Sequence, residues 1–303
     1  MLELNEFQNK ISASLEGISL AFWEPMAKHT SFRIGGPVEV MAFPENKEQL
    51  AKILSVSNSL DRKPAILGAG TNILAPDEGM QGVVICLKDC LGGMEQLDGS
   101  RIRVYAGVTM SRAAVYAAGL GLSGLEFAHG IPGSVGGGVY MNAGAYGGEI
   151  CQVCESVQVM TMDGKIHEYT CQEMDFSYRH SRLEREDGIV ISAVFALEKK
   201  EPEQIREQMQ LLQKKRSASQ PLQLPSAGSA FKRPVGGFAA ALIDQTGLKG
   251  FRVGDAAVSE KHAGFVVNLG KATAADVVAV LKQVSDKVFE ATGIRLEPEV
   301  RIW

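Results

Sequence analysis

The glycine content of residues 129–148 is the feature that most constrains how this chain can fold. The segment reads HGIPGSVGGGVYMNAGAYGG and holds eight glycines between large apolar residues such as Ile131 and Val135. Glycine loses more backbone entropy on folding than other residues, so this density predicts neither an ordinary helix nor a strand. Flexible Gly/Ser linkers lack the large apolar residues. We therefore expect bare N–H groups that run against a ligand, above all a phosphate. A tightly packed core loop is the alternative.

A second glycine loop follows a short predicted strand at residues 64–67. It reads Gly68-Ala69-Gly70-Thr71-Asn72, and a strand that feeds a glycine-rich turn is typical of a phosphate site. The third glycine of the dinucleotide fingerprint is missing, because Ile73 stands there. A full GxGxxG occurs at residues 119–124, but it follows a helical pattern, which predicts a helix end and a turn. The sequence lacks GxxxxGK[ST], so a P-loop nucleotidase is not expected.

Length and composition indicate a soluble globular enzyme. The chain has 303 residues, a length that suits two or three domains. Its residues are 45% hydrophobic and 22% charged, which is ordinary for such an enzyme. The net charge of −4 argues against general nucleic-acid binding. The N-terminal MLELNE is acidic and lacks the features of a signal peptide, and no apolar run approaches the ~20 residues of a membrane span. We expect a cytoplasmic protein without nucleic-acid or membrane partners.

The five cysteines predict no disulfide framework, because their number is odd and their spacing is not that of a secreted domain. Cys151 and Cys154 form a CxxC, which admits a metal or redox function as an alternative. A zinc site needs a second pair of ligands, and only His167 and Cys171 are near in sequence. We therefore expect reduced, packing cysteines and no metal.

Hydrophobic periodicity gives a coarse order of elements. Asp163-Gly164 lies between two strand patterns and predicts a hairpin. Thr273 with an acidic residue three positions later predicts a helix start. The charged segment 198–202 predicts a domain boundary before a polar helix carrying Ile205, Met209 and Leu212. The further predicted elements are helices near 4–15, 45–60 and 113–118 and strands at 83–87, 101–105, 157–161, 166–169, 189–195 and 265–268.

Three motifs in this order resemble the UDP-N-acetylenolpyruvoylglucosamine reductase family. They are GAGTN after a strand, GIPGSVGG…MNAGAYG, and PSAGSAFKRP at residues 225–234. The resemblance runs from His29 to Arg301. It implies an α+β fold, in which residues 1–198 form a two-part FAD-binding domain of the vanillyl-alcohol-oxidase (PCMH) type, with subdomains of about 1–88 and 89–198. Residues 199–303 then form a smaller α/β substrate domain.

The chain departs from the family at two points. His129 precedes the GIPG turn, where many members have a small residue. The chain also resembles the shorter subclass, which lacks an inserted tyrosine-bearing loop over the substrate, so the way the pocket closes stays open.

The resemblance also implies the activity. The family uses non-covalent FAD and NADPH to reduce UDP-N-acetylglucosamine enolpyruvate to UDP-N-acetylmuramate, in peptidoglycan precursor synthesis for cell-wall biogenesis, cell shape and cell division. We expect a monomer. Hydride from reduced flavin reaches the enolpyruvyl double bond, and a serine protonates the neighbouring carbon. Ser229 matches this proton donor, Arg179 the catalytic arginine, and Glu299 the C-terminal glutamate. Ser226 and Glu297 are the nearby alternatives.

Each assignment has a plainer alternative. Ser229 could be a turn residue, Arg179 could pair with Glu184 or Glu186 at the surface, and Glu299 could form a salt bridge at a strand end. The basic run Lys214-Lys215-Arg216 is more typical of the solvated C-terminal end of a helix than of a phosphate-binding site. An FAD-linked oxidase of an alcohol or lactone, and a non-catalytic flavin or UDP-sugar binding module, are the alternative functions.

The remaining expected site residues bind the cofactor or the substrate. For FAD they are Leu67, Gly68, Ala69, Gly70, Thr71, Asn72, Gly130, Ile131, Pro132, Gly133, Ser134, Gly136, Gly137, Asn142, Ala143 and Gly144. For the UDP-sugar they are Tyr178, Lys232, Arg233, Lys261, His262 and Asn268.

Overall fold

A computed structural model describes residues 4–88 and 90–303. The first three residues, which the signal-peptide expectation includes, and residue 89, where the second predicted subdomain begins, lie outside this description. The chain divides into two compact units. Unit one is built from the chain up to Phe22, Glu39–Ala69 and Gly82–Lys214, and unit two from Trp23–Val38, Gly70–Gln81 and Lys215–Trp303. The domain boundary at 198/199 stays a prediction.

The helices begin where side chains cap their first N–H groups. Asn5 and Gln8 cap the first helix reciprocally, and Thr273 and Asp276 do the same for the last, as the sequence predicts. The carboxylate of Asp77 also accepts from two N–H groups at the start of the last helix. The helices are α1 (Glu6–Ser14), α2 (Lys47–Ser59), α3 (Met110–Gly119), α4 (Val135–Tyr140), α5 (Pro202–Ser219), α6 (Ala239–Gln245) and α7 (Ala274–Thr292), with short 3₁₀ turns at Met26–Lys28, Glu126–Ala128, Ile150–Gln152 and Arg182–Glu184.

The strands are mostly short. They are β1 (Ser19–Pro25), β2 (Pro37–Phe43), β3 (Ala65–Leu67), β4 (Ile73–Leu74), β5 (Met80–Cys86), β6 (Met94–Gln96), β7 (Arg101–Tyr105), β8 (Leu122–Ser123), β9 (Gly144–Ala145), β10 (Gly148–Glu149), β11 (Cys154–Thr161), β12 (Ile166–Thr170), β13 (Gly188–Ala196), β14 (Glu198–Lys199), β15 (Ser226–Ser229), β16 (Arg252–Val253), β17 (Ala256–Val258), β18 (Phe265–Asn268) and β19 (Arg301–Ile302).

Unit one holds two main sheets. The larger is antiparallel, in the order β12-β11-β13-β7-β6, and the other has the order β1-β2-β5-β3, with β3 parallel to β5. Alternate residues of β7 and most of β13 are buried, and they join α2 and α3 in one hydrophobic core. The hairpin around Asp163-Gly164 is confirmed, with Val159 opposite His167.

Unit two is a four-stranded antiparallel sheet, β15-β18-β17-β16, with α7 packed on it. The buried face of α7 repeats at helical spacing with Val277, Val280, Leu281, Val284 and Val288, and these lie in one cluster with sheet residues. The short parallel pair β19-β4 also belongs to this unit. Both units combine helices with largely antiparallel sheets, and the α+β fold class is confirmed.

The glycine segment corrects one expectation. Residues 135–140 form α4, although the glycine density predicts no helix. Ser134 caps this helix, and the absent side chains let it pack closely. A Cβ on Gly136 would stand 2.9 Å from the Cβ of Ala106, and one on Gly138 would stand 2.7 Å from the sulfur of Met110. Close approach outweighs the low helix propensity here.

The GxGxxG at 119–124 begins at Gly119, the last residue of α3, and continues into a turn, as predicted. Within the described residues, no helix is long and apolar enough to cross a membrane.

Candidate active site

The start of the first glycine loop, Gly68 and Ala69, lies in unit one with the second glycine loop. The first begins where β3 ends at Leu67, and an added Cβ on Gly68 would lie 3.1 Å from the Oγ of Ser134 in the second loop. The N–H groups of Gly68 and Ala69 donate no hydrogen bond to any described residue, and the same holds for Gly133 and Ser134. Open N–H donors in two closely packed loops fit a diphosphate such as that of FAD.

Other N–H groups of the second loop are used within the fold. Gly136 donates to the carbonyl of Ala106 at 2.9 Å, and Gly137 donates to the Oγ of Ser134 at 3.4 Å. The N–H of Gly130 also donates to no described residue. Open donors therefore lie in the part of the segment that precedes α4, whereas these N–H groups of the helix are used.

Asn142 joins the glycine segment to the next functional loop. It is fully buried, with a positive φ of 42°. Its Nδ2 donates to the carbonyl of Ser177 at 3.0 Å and to Glu149 at 3.1 Å, and its Oδ1 accepts from the N–H of Cys151 at 2.9 Å. The side chain therefore anchors residue 177 beside the glycine segment, and its predicted role toward FAD stays a prediction.

Arg179 lies in a two-residue turn held by this anchor. Ser177 and His180 exchange both backbone hydrogen bonds at 3.1 Å, and Arg179 has a φ of 55°, which is uncommon for a non-glycine residue. Its Nη2 donates to the carbonyl of Gly144 at 3.1 Å, and its Cζ lies 5.0 Å from the ring centre of Tyr178. Such strained backbones concentrate at functional sites.

Two acidic residues follow Arg179 in the chain. Glu184 pairs with His180 at 2.7 Å, and Glu186 pairs with Arg182 at 2.6 Å.

In unit two, a bulge in β15 places Ser229. Ser226 lies opposite Val267, and Ser229 lies opposite Phe265, so three steps along β15 match two steps along β18. The extra residue is accommodated at Gly228, whose φ is 77°. A bulge of this kind re-aims the side chain that follows it, and Ser229 is exposed.

Backbone contacts bring Glu299 and Asn72 to the Ser229 strand. The N–H of Glu299 donates to the carbonyl of Ala230 at 2.9 Å, directly after Ser229. The Nδ2 of Asn72 donates to the carbonyl of Glu299 at 3.2 Å, and the N–H of Arg301 donates to the carbonyl of Asn72 at 3.0 Å. The predicted FAD residue Asn72 and the predicted catalytic residue Glu299 thus share one hydrogen-bond network of unit two with the residue that follows Ser229.

Sequence reasoning missed Ser31, which links the same network. Its Oγ donates to the carbonyl of Ser226 at 2.6 Å and lies 3.3 Å from the carbonyl of Gly70. The residue stands in the His29-to-Phe32 segment where the family resemblance begins, and that position was the available signal.

Glu297 differs from Glu299 in its surroundings. Its carboxylate lies 3.6 Å from the Nζ of Lys232, and its carbonyl accepts from the N–H of that lysine. The two glutamates flank an isolated antiparallel bridge between Pro298 and Phe231, and regular strand pairing begins at Arg301.

The basic residues expected to bind the UDP-sugar contact different parts of unit two. Arg233 stacks over the Phe238 ring at 4.6 Å, and the Nζ of Lys261 donates to the carbonyl of Ser217 at 2.6 Å. The Nδ1 of His262 accepts from the N–H of Gly264, and burial lowers its pKa.

Two polar candidates lie deeper than expected. Asn268 is buried, donates to the carbonyl of Phe32 and accepts from the N–H groups of Gly270 and Ala272. Arg216 is buried too, with its Nη1 3.3 Å from the Oε1 of Gln220, so the solvated-helix expectation is wrong for this residue, although Lys214 and Lys215 are exposed. The hydrogen bond to Gln220 compensates for part of the desolvation of the guanidinium.

The cysteines are free thiols. Burial raises the pKa of Cys90 to about 11 and that of Cys154 to about 12. Burial also raises the pKa of Cys151 and Cys171. Across residues 4–88 and 90–303, no group of three His, Cys, Asp or Glu side chains could hold a metal.

Comparison with known proteins matches both units to one enzyme. Residues 38–170 match an FAD binding domain, and residues 220–303 match the UDP-N-acetylenolpyruvoylglucosamine reductase C-terminal domain. The UDP-N-acetylenolpyruvoylglucosamine reductase of Agathobacter rectalis is 44% identical over 307 residues, covering 98% of each chain. That of Syntrophomonas wolfei is 45% identical, covering 92% of this chain and 93% of its own.

The chain belongs to the UDP-N-acetylenolpyruvoylglucosamine reductase family. The crystal structure of a reductase of this family from Thermus caldophilus agrees, with a TM-score of 0.79 and 36% identity over 94% of this chain and 98% of that one. The chain is therefore an FAD-dependent oxidoreductase with a UDP-sugar substrate. Membership in the reductase family favours the reductase over the flavin oxidase and the non-catalytic binding module.

Proposed function

We propose that this chain uses NADPH, through FAD, to reduce the enolpyruvyl double bond of UDP-N-acetylglucosamine enolpyruvate, which gives UDP-N-acetylmuramate. The observation that carries the proposal is the network in unit two that sets Glu299 against the residue after Ser229. We propose that the backbone bond from Glu299 to Ala230 sets the Glu299 carboxylate near the Ser229 hydroxyl, an arrangement that would suit protonation of a carbon. Bound FAD, once reduced by NADPH, would supply the hydride, and the protein must supply the proton.

The chemistry of the substrate defines the role of Ser229. Hydride adds to the terminal carbon of the double bond, and negative charge then develops on the carbon beside the carboxylate. A serine hydroxyl has a pKa far above neutrality, so it donates only to a basic centre held in fixed geometry. The bulge at Gly228 and the exposure of Ser229 are consistent with a side chain aimed out of the sheet to meet that carbon.

Arg179 suits the carboxylate of the same substrate. An enolate places extra negative charge on the carboxylate oxygens, and a guanidinium binds them with two hydrogen bonds while it remains charged. The turn that carries Arg179 is fixed by Asn142 through Ser177, and its bond to the Gly144 carbonyl holds the guanidinium at the glycine segment. Such fixed donors need little reorganisation during the reaction. Tyr178 is half exposed beside it and is proposed to contact the substrate.

Glu299 is proposed to orient the donor or hold the enol form. Its backbone is bonded on both sides, to Ala230 and to Asn72, so the position of the side chain is restricted. Glu297 has a lysine partner and lacks the contact with residue 230, which supports the choice of Glu299.

The two glycine loops are proposed to hold FAD without a covalent bond. The open N–H groups of Gly68, Ala69, Gly133 and Ser134 would bind its diphosphate. Backbone donors lose little entropy when they bind, because the fold has already ordered them.

The UDP diphosphate needs positive charge, and Lys232, Arg233, Lys261 and His262 are proposed to provide it. Asn268 is proposed to support this region through its bonds to residues 270 and 272. We further propose that the chain acts in the cytoplasm as a monomer, in peptidoglycan precursor synthesis and thus in cell shape and division. Light scattering and cell fractionation test these two points.

The visible spectrum of the purified protein tests the proposal. We expect a yellow protein whose flavin is bleached by NADPH in the absence of oxygen. The enolpyruvyl UDP-sugar should then restore the colour rapidly, and an equal concentration of UDP-N-acetylglucosamine should not. A protein whose flavin is reduced by an alcohol or lactone and reoxidised only by oxygen is the oxidase instead. One whose flavin is reduced neither by NADPH nor by an alcohol or lactone is a binding module.

A further inference from the structure

The turn that carries Arg179 has a second anchor, Ser181, on its C-terminal side. Ser181 is fully buried, and its Oγ donates to the carbonyl of Tyr140 at 2.7 Å. Tyr140 is the last residue of α4, so this bond joins the turn to the end of that helix. All three residues lie in unit one, and Ser181 is not among the residues proposed above to bind FAD or the substrate.

The turn needs such an anchor, because its backbone holds Arg179 in a conformation that favours glycine. Of the two central residues, Tyr178 and Arg179, only Arg179 has a positive φ, of 55°. This matches the third position of a type II turn, where glycine is preferred. A residue with a side chain keeps such a backbone only where the surrounding contacts fix it.

Two buried side chains supply these contacts from opposite ends of the turn. The Nδ2 of Asn142 donates to the carbonyl of Ser177, the first residue of the turn. Ser181 follows His180, the last residue of the turn, and bonds to Tyr140. Asn142 and Ser181 are both fully buried. The turn is therefore joined at both ends to the short segment that closes α4.

Hydrogen bonds do more than apolar packing to position this turn. It lies in the loop 174–182, which is closed where the N–H of Arg182 donates to the carbonyl of the buried Met174 at 2.7 Å. Ser177 and Tyr178 are exposed, so the turn buries little apolar surface. A turn with few buried apolar contacts depends for its position on the bonds to its backbone and to its neighbours. Loss of the Ser181 bond is therefore expected to loosen Arg179.

We propose that Ser181 is a positioning residue for the reaction and that it acts through Arg179. This rests on the proposed function, in which the Arg179 guanidinium binds the substrate carboxylate as negative charge develops on it. A donor that is fixed in advance stabilises this charge without reorganisation during the reaction. The Ser181 hydroxyl donates its own proton to the Tyr140 carbonyl, so it is not a second proton donor to the substrate.

Stopped-flow kinetics of FAD-loaded Ser181→Ala test the proposal. NADPH should reduce the flavin at the wild-type rate. The limiting rate of reoxidation by the enolpyruvyl UDP-sugar should fall about tenfold, which is within the range of one hydrogen bond. The KM for this substrate should change less, because the additional negative charge is present only in the transition state. Ser181→Cys keeps a weaker donor of similar size and should recover part of the lost rate.

A double-mutant cycle with Arg179→Gln shows whether the effect passes through the arginine. In the Arg179→Gln background, Ser181→Ala should change the reoxidation rate by less than about twofold. Ser59→Ala is the matched control, because it removes a hydroxyl that donates to a backbone carbonyl, that of Val56, at the same 2.7 Å in the same unit. It should leave both half-reactions unchanged.

Wild-type reoxidation rates in Ser181→Ala and Ser181→Cys overturn the proposal. A loss in Ser181→Ala that persists undiminished in the Arg179→Gln background also overturns it, because the serine would then act independently of the arginine. So does an equal loss in Ser59→Ala. A wild-type protein whose reduced flavin is not reoxidised by the enolpyruvyl UDP-sugar refutes the proposed function itself, and the role of Ser181 falls with it.

Discussion

Replacing Gly228 with Ala should test whether the bulge positions Ser229 for catalysis, apart from any loss of stability in unit two. Gly228 has a φ of 77°, and an added Cβ would meet nothing within 4 Å. The substitution therefore adds backbone strain without a clash, about 1–2 kcal/mol for a left-handed alanine. The strand can relieve this strain by moving the bulge, and Ser229 then leaves its place opposite Phe265. A displacement near 1 Å lowers a rate by up to ~10²-fold.

Gly293→Ala is the matched control. Gly293 caps α7 in the same unit with a φ of 72°, and an added Cβ there also meets nothing within 4 Å. Both variants should lower Tm by several degrees. Stopped-flow reoxidation of the reduced flavin by the enolpyruvyl substrate should slow about 10- to 100-fold in Gly228→Ala alone. Equal reoxidation rates in the two variants would refute the reasoning that the bulge positions the donor.

Three further predictions concern the thiols, the cofactor loops and His262. At pH 8 the native protein should expose at most two of its five thiols to a disulfide reagent, Cys151 and Cys171, and a strong chelator should leave activity intact. Loss of activity that zinc restores would contradict this. Gly137→Ala should weaken FAD binding in equilibrium dialysis, whereas Gly119→Ala should not. Gly137 is exposed, its added Cβ would meet only the Oγ of Ser134 at 3.6 Å, and we expect bound FAD to cover this position. The pKa of His262 is lowered by burial, so the unfolded chain binds more protons below pH ~6.5 and stability should fall as pH drops from there. His262→Asn should flatten this pH dependence of Tm, and an unchanged slope would contradict it.

Elements with a strong local pattern could be predicted from the sequence. The structure has the expected strand at Arg101–Tyr105 and the expected cap of α7 at Thr273 and Asp276. Alternation of buried and partly exposed residues, and the chemistry of helix caps, are both local properties of the sequence. The helix α4 could not be predicted, since what permits its glycines is close packing against Ala106 and Met110, residues more than 25 positions away.

The site was predictable in its residues more than in its geometry. Motif order identified Ser229 and Glu299, yet no pattern indicated that Ser31 would join Ser226 to Gly70 by a side-chain hydroxyl. Burial of Arg216 was equally hidden, because a run of cations near a helix end suggests solvent exposure. Contacts across about 195 positions are set by the fold as a whole, and local sequence carries little information about them.

The most direct test of the account is a comparison of the two half-reactions in Ser229→Ala. The substitution removes the proposed proton donor and leaves the glycine loops unchanged, so NADPH should reduce the flavin at nearly the wild-type rate. Reoxidation by UDP-N-acetylglucosamine enolpyruvate should fall by ~10²–10⁴-fold, the range typical of a lost general acid. Ser229→Cys should recover part of that rate, since a thiol also donates a proton.

Ser226→Ala is the control in the same strand, because its side chain lies three residues away and only its carbonyl bonds to Ser31. It should retain most of the reoxidation rate. The account predicts a fast reductive and a slow oxidative half-reaction in Ser229→Ala alone. Reoxidation of Ser229→Ala near the wild-type rate, or failure of Ser226→Ala in its place, would contradict the assignment of Ser229.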